Sequence, residues 1–536
     1  MSVNAVNPIL PGFYPDPSAC AVGDDYYIVN SSFVYFPGLP IMHSKDLAHW
    51  EQIGNVMTRN SQLPLGEDGH SRGLFAPTIR YNNGTFYVIC TNVSFGGNYI
   101  VTATDPKGPW SEPHYIEGAD GIDPSLFFDE DGKCYFIGTH PNPDGCRWDG
   151  DWFIYIQELD IENFKLVGEA KNVWNGAMRG VHWPEGPHLY KIGEYYYILH
   201  AEGGTGPEHA ISVARSKEVF GPYEQNFCNP IFTHRHLGQK YPIKYVGHGD
   251  LFQIANGDWY IIMLAVRPAN GYTTMGRETF MARVIFENGW PVINPGLGVL
   301  SSELVIDLPE WKPDEDATLV SCDRLYQFKN MDHLGPEFMT LRNPVDDFYK
   351  FEDECLKLKC RPVALTEQKN PSFVCVRQDS HVFEASCVLK PDGLFEGAKA
   401  GMVYMQSNTH HLKFEFEGMR GNVILCKEGV EERLASVLVA ENTITLLLRV
   451  LGTKASLYIG TGNKVSPVIT EVDISALSTE VAGGFVGNTI GIYATDVEDR
   501  EEPVWASFRS FAYRRVTPKD IYKMAEDMKA KETTEE

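Results

Sequence analysis

Five segments in the first 300 residues share one pattern, in which a turn glycine precedes a short run of apolar and aromatic residues. The segments are residues 23–29, 84–89, 132–137, 193–198 and 257–262. Each run predicts the second strand of a β-hairpin. Units of about 50 to 65 residues with several short strands are typical of propeller blades. The first part of the chain is therefore predicted to be a five-bladed β-propeller.

The pattern changes after residue 299. Residues 308–316 are polar and contain proline, which is typical of a linker. Runs of alternating apolar and polar residues then follow at 372–376, 382–388, 411–416 and 443–448, a pattern that suits a two-sheet β-sandwich. The chain is predicted to be all-β, with a catalytic propeller over 1–305, a linker over 306–321, a sandwich over 322–516 and a charged tail over 517–536.

One position recurs before each tyrosine strand and carries candidate chemistry. Counting back 11 or 12 residues from the central tyrosine of each unit gives the aligned residues Asp16, Ala76, Asp123, Glu185 and Gly249. Equivalent positions of the blades lie around the same end of a propeller axis. Three of the five aligned residues are carboxylates beside proline, and this recurrence predicts a functional site.

Composition limits the partners of such a site. The formal net charge of −25 argues against nucleic acid and anionic membrane, whereas a neutral sugar is compatible with it. Residues 1–8 show no signal peptide, and the chain has no apolar run of transmembrane length. Eleven cysteines without C-x-x-C pairs suit a reducing compartment, so a cytoplasmic location is expected.

Paired carboxylates in a pocket can perform glycoside hydrolysis. One protonated acid donates to the leaving oxygen, and an ionised partner activates water or attacks carbon. Glu185 lies two residues after Trp183, and apolar surroundings raise the pKa of a carboxyl group, so Glu185 is the candidate donor. A metal site is the functional alternative, but three acids with the single histidine His248 do not form a recognisable transition-metal set.

The chain resembles glycoside hydrolase family 43, in particular its two-domain β-xylosidase and α-L-arabinofuranosidase members. The resemblance rests on residues 14–18 (YPDPS), 32–38 (SFVYFPG), 76–77 (AP), 121–126 (GIDPSL), 183–187 (WPEGP) and 276–280 (GRETF). These motifs span the predicted propeller. The predicted sandwich resembles the accessory domain of the same family.

The resemblance implies a role for each candidate residue. Asp16 is expected to be the general base, Asp123 the pKa modulator and Glu185 the general acid of an inverting hydrolase. Arg277 is expected to bind sugar hydroxyls.

The resemblance also implies roles for aromatic residues and for His248. Phe33 is expected to form the floor of the terminal sugar subsite, and Trp183 to face the sugar. His248 would be either a core histidine or an axial residue near a calcium ion held through water; no other cofactor is expected. Phe485 belongs to a loop that closes the pocket in relatives.

The expected activity is the exo-acting removal of a terminal pentose from xylo-oligosaccharides or arabinoxylan fragments. The motifs do not separate β-D-xylosidase from α-L-arabinofuranosidase, and they leave homo-oligomer formation open. An endo-arabinanase is an alternative that would need an open groove. A propeller that binds carbohydrate without cleaving it is another, but such a protein needs no proton donor.

Overall fold

The five tyrosine strands are the second strands of five antiparallel sheets of four strands each. The structure is a computed structural model, and it describes residues 2–308, 323–344, 347–462 and 464–516. Each sheet is built from consecutive segments of the chain, and together the sheets form the predicted five-bladed β-propeller. The fold class predicted from the sequence is thereby confirmed.

The strands of each blade are given from the innermost to the outermost. Blade 1 consists of Ser18–Val22, Asp25–Val29, Gly38–Ser44 and Glu51–Met57. Blade 2 consists of Thr78–Asn82, Thr85–Asn92, Gly97–Ala103 and His114–Tyr115. Blade 3 consists of Ile122–Phe128, Cys134–Pro141, Trp152–Asp160 and Lys165–Trp174. Blade 4 consists of Glu185–Ile192, Tyr195–Glu202, Ala210–Ser216 and Glu224–Gln225, and blade 5 of Lys244–Gln253, Trp259–Val266, Glu278–Glu287 and Trp290–Ile293.

Apolar side chains fill the spaces between neighbouring blades. Separate buried clusters join blade 1 to 2, 2 to 3, 3 to 4, 4 to 5 and 5 to 1. Both faces of a blade are therefore covered, which explains why the inner strands are nearly continuous apolar runs. Tyr197 of blade 4 and Tyr260 of blade 5 lie in these layers and are almost fully buried.

No blade combines strands from the two ends of the propeller sequence. The N-terminal strand Ser2–Val6 instead pairs with Glu303–Asp307 in a two-stranded ribbon. Polar contacts add to this closure, because the Asn7 amide donates to the Met281 and Ser301 carbonyls, and the Glu278 carboxylate accepts from the Gly12 N–H. Blade 1 and blade 5 are thus held together by side chains, one ribbon and the isolated bridge between Leu10 and Thr279 rather than by a shared sheet. One further short strand, Tyr35–Phe36, lies in this unit.

The second unit is a sandwich of two antiparallel sheets. One sheet has the order Tyr349–Glu352, Cys355–Lys359, Trp505–Arg515, Val382–Lys390, Ile444–Leu451, Lys454–Thr461 and Lys464–Asp473, with Arg324–Gln327 also paired to Trp505–Arg515. The other has the order Ser372–Arg377, Thr489–Thr495, Lys399–Ser407, His410–Glu417, Arg420–Lys427 and Val430–Leu438. Its remaining elements are the short strand Thr340–Leu341, the α-helix Thr479–Ala482 and the 3₁₀-helices Phe328–Asn330 and Ser475–Leu477.

Contacts divide the described chain into residues 2–268 with 276–308, and residues 269–275 with 323–516. The segment 269–275 lies between two strands of blade 5 in sequence but belongs to the second unit. The predicted linker over 306–321 begins within the strand Glu303–Asp307, and its residues 309–321 lie outside the described ranges, as does the tail over 517–536. The predicted domain boundaries stay a prediction.

Two further expectations concern cysteines and membranes. The ten cysteines within the described part of the chain are free thiols. Across those same residues, no helix is both long and apolar enough to span a bilayer.

Candidate active site

The innermost strands of the blades place one set of residues at equivalent positions. On each innermost strand, one residue pairs with the equivalent position of the second strand, which is Val29, Ile89, Ile137, Leu199 or Ile262. The residues two positions before these paired residues are Asp16, Ala76, Asp123, Gly186 and His248. Counting along the sequence gave Glu185 and Gly249 for blades 4 and 5, so it was wrong by one residue in each. In blade 4 the count started from Tyr196, whereas Tyr197, which pairs with Tyr190, is the equivalent tyrosine. In blade 5 the correct step is 12 residues rather than 11, because Tyr260 pairs with Phe252 across a longer hairpin turn.

The backbone is left-handed at four of these five positions. The φ angles are 50° at Asp16, 53° at Asp123, 55° at Gly186 and 44° at His248. Such angles are uncommon for residues other than glycine and occur where the surrounding structure holds them. The repeated distortion turns each of these residues out of the regular alternation of its strand.

Asp16 is a buried carboxylate with two strong donors. Arg277 approaches it with Nη1 2.6 Å from Oδ1 and Nη2 3.3 Å from Oδ2, and the Ser31 hydroxyl donates to Oδ2 at 2.6 Å. Burial alone would raise the pKa of Asp16, but the charge of Arg277, the nearby His248 and the Ser31 hydrogen bond lower it. Asp16 is therefore ionised near neutral pH. Arg277 was expected to hold sugar hydroxyls, and the structure shows that it also pairs with Asp16.

Glu185 has the opposite electrostatic environment. Burial raises its pKa well above the ordinary value, and the charges of Asp123 and Asp16 raise it further, while Arg277 opposes them. The side chain keeps some exposure to solvent. Glu185 is thus suited to hold a proton that Asp16 has lost.

Asp123 interacts electrostatically with both Asp16 and Glu185. Its Oδ2 accepts the backbone N–H of Gly186, the residue next to Glu185, at 3.1 Å. Burial and the charge of Asp16 raise its pKa, while His248 and the Gly186 hydrogen bond oppose this. The three predicted acids are therefore brought together, with different preferred protonation states.

His248 occupies the blade 5 position of this set and is buried. Its Nδ1 lies 3.8 Å from Asp16 Oδ1, and its ring packs against Gly186, where a Cβ atom would lie only 2.8 Å from the imidazole. Glycine at 186 is therefore required for this contact as well as for its φ angle.

The residues around His248 do not form a direct calcium site. Calcium takes six to eight oxygen ligands. The neighbouring Asp16 is held by Arg277 and Asp123 by a backbone N–H, and the described residues contain no group of three or more His, Cys, Asp or Glu arranged to hold a metal. A calcium ion held only through water stays a prediction.

The predicted aromatic residues lie beside the acids in different ways. Phe33 is buried, stacks on Phe13 at 6.0 Å, and has the Arg277 guanidinium 5.7 Å from its ring centre. Phe75, directly before the motif at 76–77, contacts Phe33 edge-on at 5.5 Å. Trp183 remains partly exposed and leans on two glycines, because a Cβ atom at Gly150 or Gly204 would lie within 3 Å of it.

The sequence interpretation missed two residues near Asp16. Ser31 donates to its carboxylate, and the buried His209 acts on it electrostatically. Ser31 lies directly before the motif at residues 32–38, and nothing in the sequence distinguishes it from its neighbour Ser32. Phe485 belongs to the sandwich unit, where it is 39% exposed, and its role in closing a pocket stays a prediction.

Comparisons with known proteins agree with this geometry. The family profile described as "Glycosyl hydrolases family 43" matches residues 5–291, and that described as "Beta xylosidase C-terminal Concanavalin A-like domain" matches residues 326–514. Together the two matches cover both structural units.

Individual relatives cover most of the chain. It is 52% identical to a "Xylosidase/arabinosidase" of Butyrivibrio fibrisolvens over 92% of this chain and 96% of that protein. It is 37% identical to a "Non-reducing end alpha-L-arabinofuranosidase" of Bacteroides ovatus over 91% of each. A solved xylan β-1,4-xylosidase from Bacillus halodurans superposes with a TM-score of 0.86 at 34% identity, covering 95% of this chain and 100% of the other. The chain therefore belongs to glycosyl hydrolase family 43, and it is a glycoside hydrolase.

Proposed function

We propose that this enzyme is an exo-acting, inverting hydrolase that removes terminal pentoses from xylo-oligosaccharides or arabinoxylan fragments, as a β-D-xylosidase, an α-L-arabinofuranosidase or both. The observation that carries the proposal is the pair Asp16 and Glu185. Their pKa values are moved in opposite directions within one cluster. Two carboxyl groups with divergent pKa values are the acid and base of a hydrolase. The names of the similar enzymes support pentose as the sugar.

Asp16 is the general base in this proposal. Its negative charge is held by Arg277 and Ser31, so its free oxygen lone pairs can take a proton from a water molecule. That water attacks the anomeric carbon from the side opposite the leaving oxygen, which inverts the configuration. The proton ends on Asp16, and the hydroxide oxygen becomes the new anomeric hydroxyl.

Glu185 is the general acid. It stays protonated because of its burial and its acidic neighbours, and it gives its proton to the glycosidic oxygen as the bond breaks. Asp123 raises the pKa of Glu185 by its charge and fixes the backbone beside it through Gly186. Phe33 and Trp183 supply apolar surface for the sugar ring. Arg277 shares its donors between Asp16 and sugar hydroxyls.

Hydrolysis of xylotetraose followed by proton NMR tests the mode and the stereochemistry together. The first products are expected to be xylotriose and α-xylose, because inversion of a β-linked terminal unit gives the α-anomer. β-Xylose as the first anomer would contradict the role of Asp16 as a base. Early xylobiose without free xylose would contradict the exo mode. Aryl β-D-xyloside and aryl α-L-arabinofuranoside, assayed in parallel, determine the sugar preference, and no turnover of either would refute the proposal.

Asp123→Asn is expected to move the alkaline limb of the kcat profile to lower pH. The reason is that the Asp123 charge is the largest cause after burial of the raised pKa of Glu185. When that pKa falls, Glu185 loses its proton at a lower pH, and activity is lost there while the acidic side is kept. The measurement is kcat against pH on an aryl xyloside.

Asp120→Asn is the matched control. It removes the same charge three residues earlier in the chain, and the Asp120 side chain is 81% exposed. Its alkaline limb should coincide with that of the unmodified enzyme. An Asp123→Asn limb that does not move, or moves to higher pH, would show that Asp123 does not set the pKa of Glu185.

A further inference from the structure

A second ring of polar contacts lies directly after the active-site positions on the innermost strands. It is formed by the residues two positions further along each strand, namely Ser18, Thr78, Ser125, His188 and Asp250, which face Val29, Ile89, Ile137, Leu199 and Ile262. All five are buried. The hydrolysis mechanism proposed above uses none of them.

Asp250 is the centre of this second ring. It is completely buried and accepts hydrogen bonds from Ser18 Oγ at 2.6 Å and Tyr190 Oη at 2.6 Å. Arg80 pairs with both of its oxygens, at 2.8 and 3.2 Å, and also donates to His188 Nδ1 at 3.0 Å. Because arginine only donates, the His188 Nδ1 must be an acceptor. Asp250 thus joins residues from blades 1, 2 and 4 to blade 5.

The remaining neighbours are joined in the same layer. The Ile79 N–H donates to Ser18 Oγ at 3.1 Å, from blade 2 to blade 1. Thr78 Oγ1 donates to the Pro124 carbonyl at 2.9 Å, from blade 2 to blade 3. Ser125 Oγ donates to the Pro187 carbonyl at 2.6 Å, from blade 3 to blade 4. With the bonds to Asp250, every pair of neighbouring blades is cross-linked.

Contacts in this ring can set the positions of the acids, because only two or three residues of the chain separate the ring from the active-site positions. Ser18 is two residues after Asp16, Ser125 two after Asp123, His188 three after Glu185, and Asp250 two after His248. Each blade is a sheet of its own, and the ends of the propeller are joined by a two-stranded ribbon, one isolated bridge and side-chain hydrogen bonds rather than by a shared blade. The distances between residues on different blades are therefore set largely by contacts between the blades.

We propose that Asp250 and Arg80 are positioning residues, whose ion pair fixes the spacing of Asp16, Asp123 and Glu185 across the propeller. The proposal rests on the proposed function in that it takes these three as the catalytic acids. The Asp250 carboxylate and the Arg80 guanidinium neutralise each other in a site with little water, and the additional hydrogen bonds satisfy the carboxylate, as a stable buried pair requires. The pair therefore holds four strands at one point.

Asp250→Asn and Tyr190→Phe test the proposal. The first removes the charge and keeps the shape, and the second removes one hydrogen bond to Asp250 and keeps the ring. We expect kcat on an aryl xyloside to fall by about 10²-fold for Asp250→Asn, since a displacement of about 1 Å can cost that much. A smaller decrease is expected for Tyr190→Phe. KM should change less than kcat, because the residues that contact the sugar remain.

The pH profile separates positioning from simple stabilisation. If the acids move apart, Asp123 and Asp16 raise the pKa of Glu185 less, so the alkaline limb moves to lower pH in both variants. A loss of stability alone would lower the melting temperature and leave kcat and the limb unchanged at 25 °C. Asp258→Asn is the matched control in blade 5, because it breaks an Asp–Arg pair with Arg283 that is partly exposed. Asp258→Asn should change neither kcat nor the position of the alkaline limb.

The proposal would be overturned if folded Asp250→Asn had the kcat of the wild-type enzyme and an alkaline limb at the same pH. If Asp250→Asn does not fold, the same result in folded Tyr190→Phe would overturn it. Folding is checked by circular dichroism before the kinetics. The outcome is distinguishable from a failure of the proposed function, because in that case the unmodified enzyme would itself not hydrolyse the aryl xyloside.

Discussion

Glu185→Gln is expected to nearly abolish hydrolysis of xylobiose while sparing much of the activity on a dinitrophenyl β-D-xyloside. A sugar alkoxide is a poor leaving group and must be protonated as the bond breaks, whereas a dinitrophenolate departs without a proton. General acid catalysis typically contributes about 10²–10⁴-fold, so the loss on xylobiose should fall in this range or exceed it. The measurement is kcat/KM for both substrates at one pH.

The residual activity of the same variant on xylobiose, whose leaving group needs a proton, should also lack the alkaline limb of the pH profile. The raised pKa of Glu185 is the reason for the limb, and glutamine does not titrate. Glu194→Gln is the control, because Glu194 is a blade 4 turn residue with a 65% exposed side chain. Equal losses on both substrates would mean that Glu185 is not the proton donor.

Asp16→Asn is expected to lower kcat by about 10²–10⁴-fold on every substrate, whatever the leaving group, because the attack of water is impaired in each case. Asparagine keeps the size of the side chain. Its amide oxygen can still accept from Arg277, and its NH2 group can donate to the Ser31 hydroxyl, which then accepts, so the local structure should be retained. What it lacks is the charge that takes the proton. Xylobiose, nitrophenyl and dinitrophenyl xylosides should therefore show similar ratios to the unmodified enzyme.

The control for Asp16→Asn is Asp24→Asn, an exposed aspartate in a hairpin turn of the same blade. It should have wild-type kinetics. A melting curve is needed beside the kinetics, because loss of the Asp16 charge leaves Arg277 without its ionic partner in a mostly buried place. If the loss of activity depended on the leaving group in Asp16→Asn but not in Glu185→Gln, Asp16 would be the general acid and Glu185 the general base.

The repeat, the blade count and the family can all be recognised from the amino-acid sequence. Each tyrosine strand must bury its apolar face against the next blade, so the same apolar pattern recurs in every unit. This pattern can therefore be recognised without coordinates. The three acids were recognisable for a related reason, because each lies 11 or 12 residues before the central tyrosine of its unit. The predicted fold and family were confirmed, whereas the roles of the single residues stay predictions.

How these residues act on one another depends on contacts that form when the chain folds. Strand pairing shifted the blade 4 and 5 positions by one residue, which made His248 rather than Gly249 the equivalent of Asp16 and Asp123. The pairing of Arg277 with Asp16 joins residues 261 positions apart, and Asp250 meets Ser18 over 232 positions. Such contacts leave no periodic trace in the sequence, because each depends on the closure of the ring. The same closure gives Asp16 and Glu185 their opposite pKa shifts, since burial and neighbouring charge exist only in the folded chain.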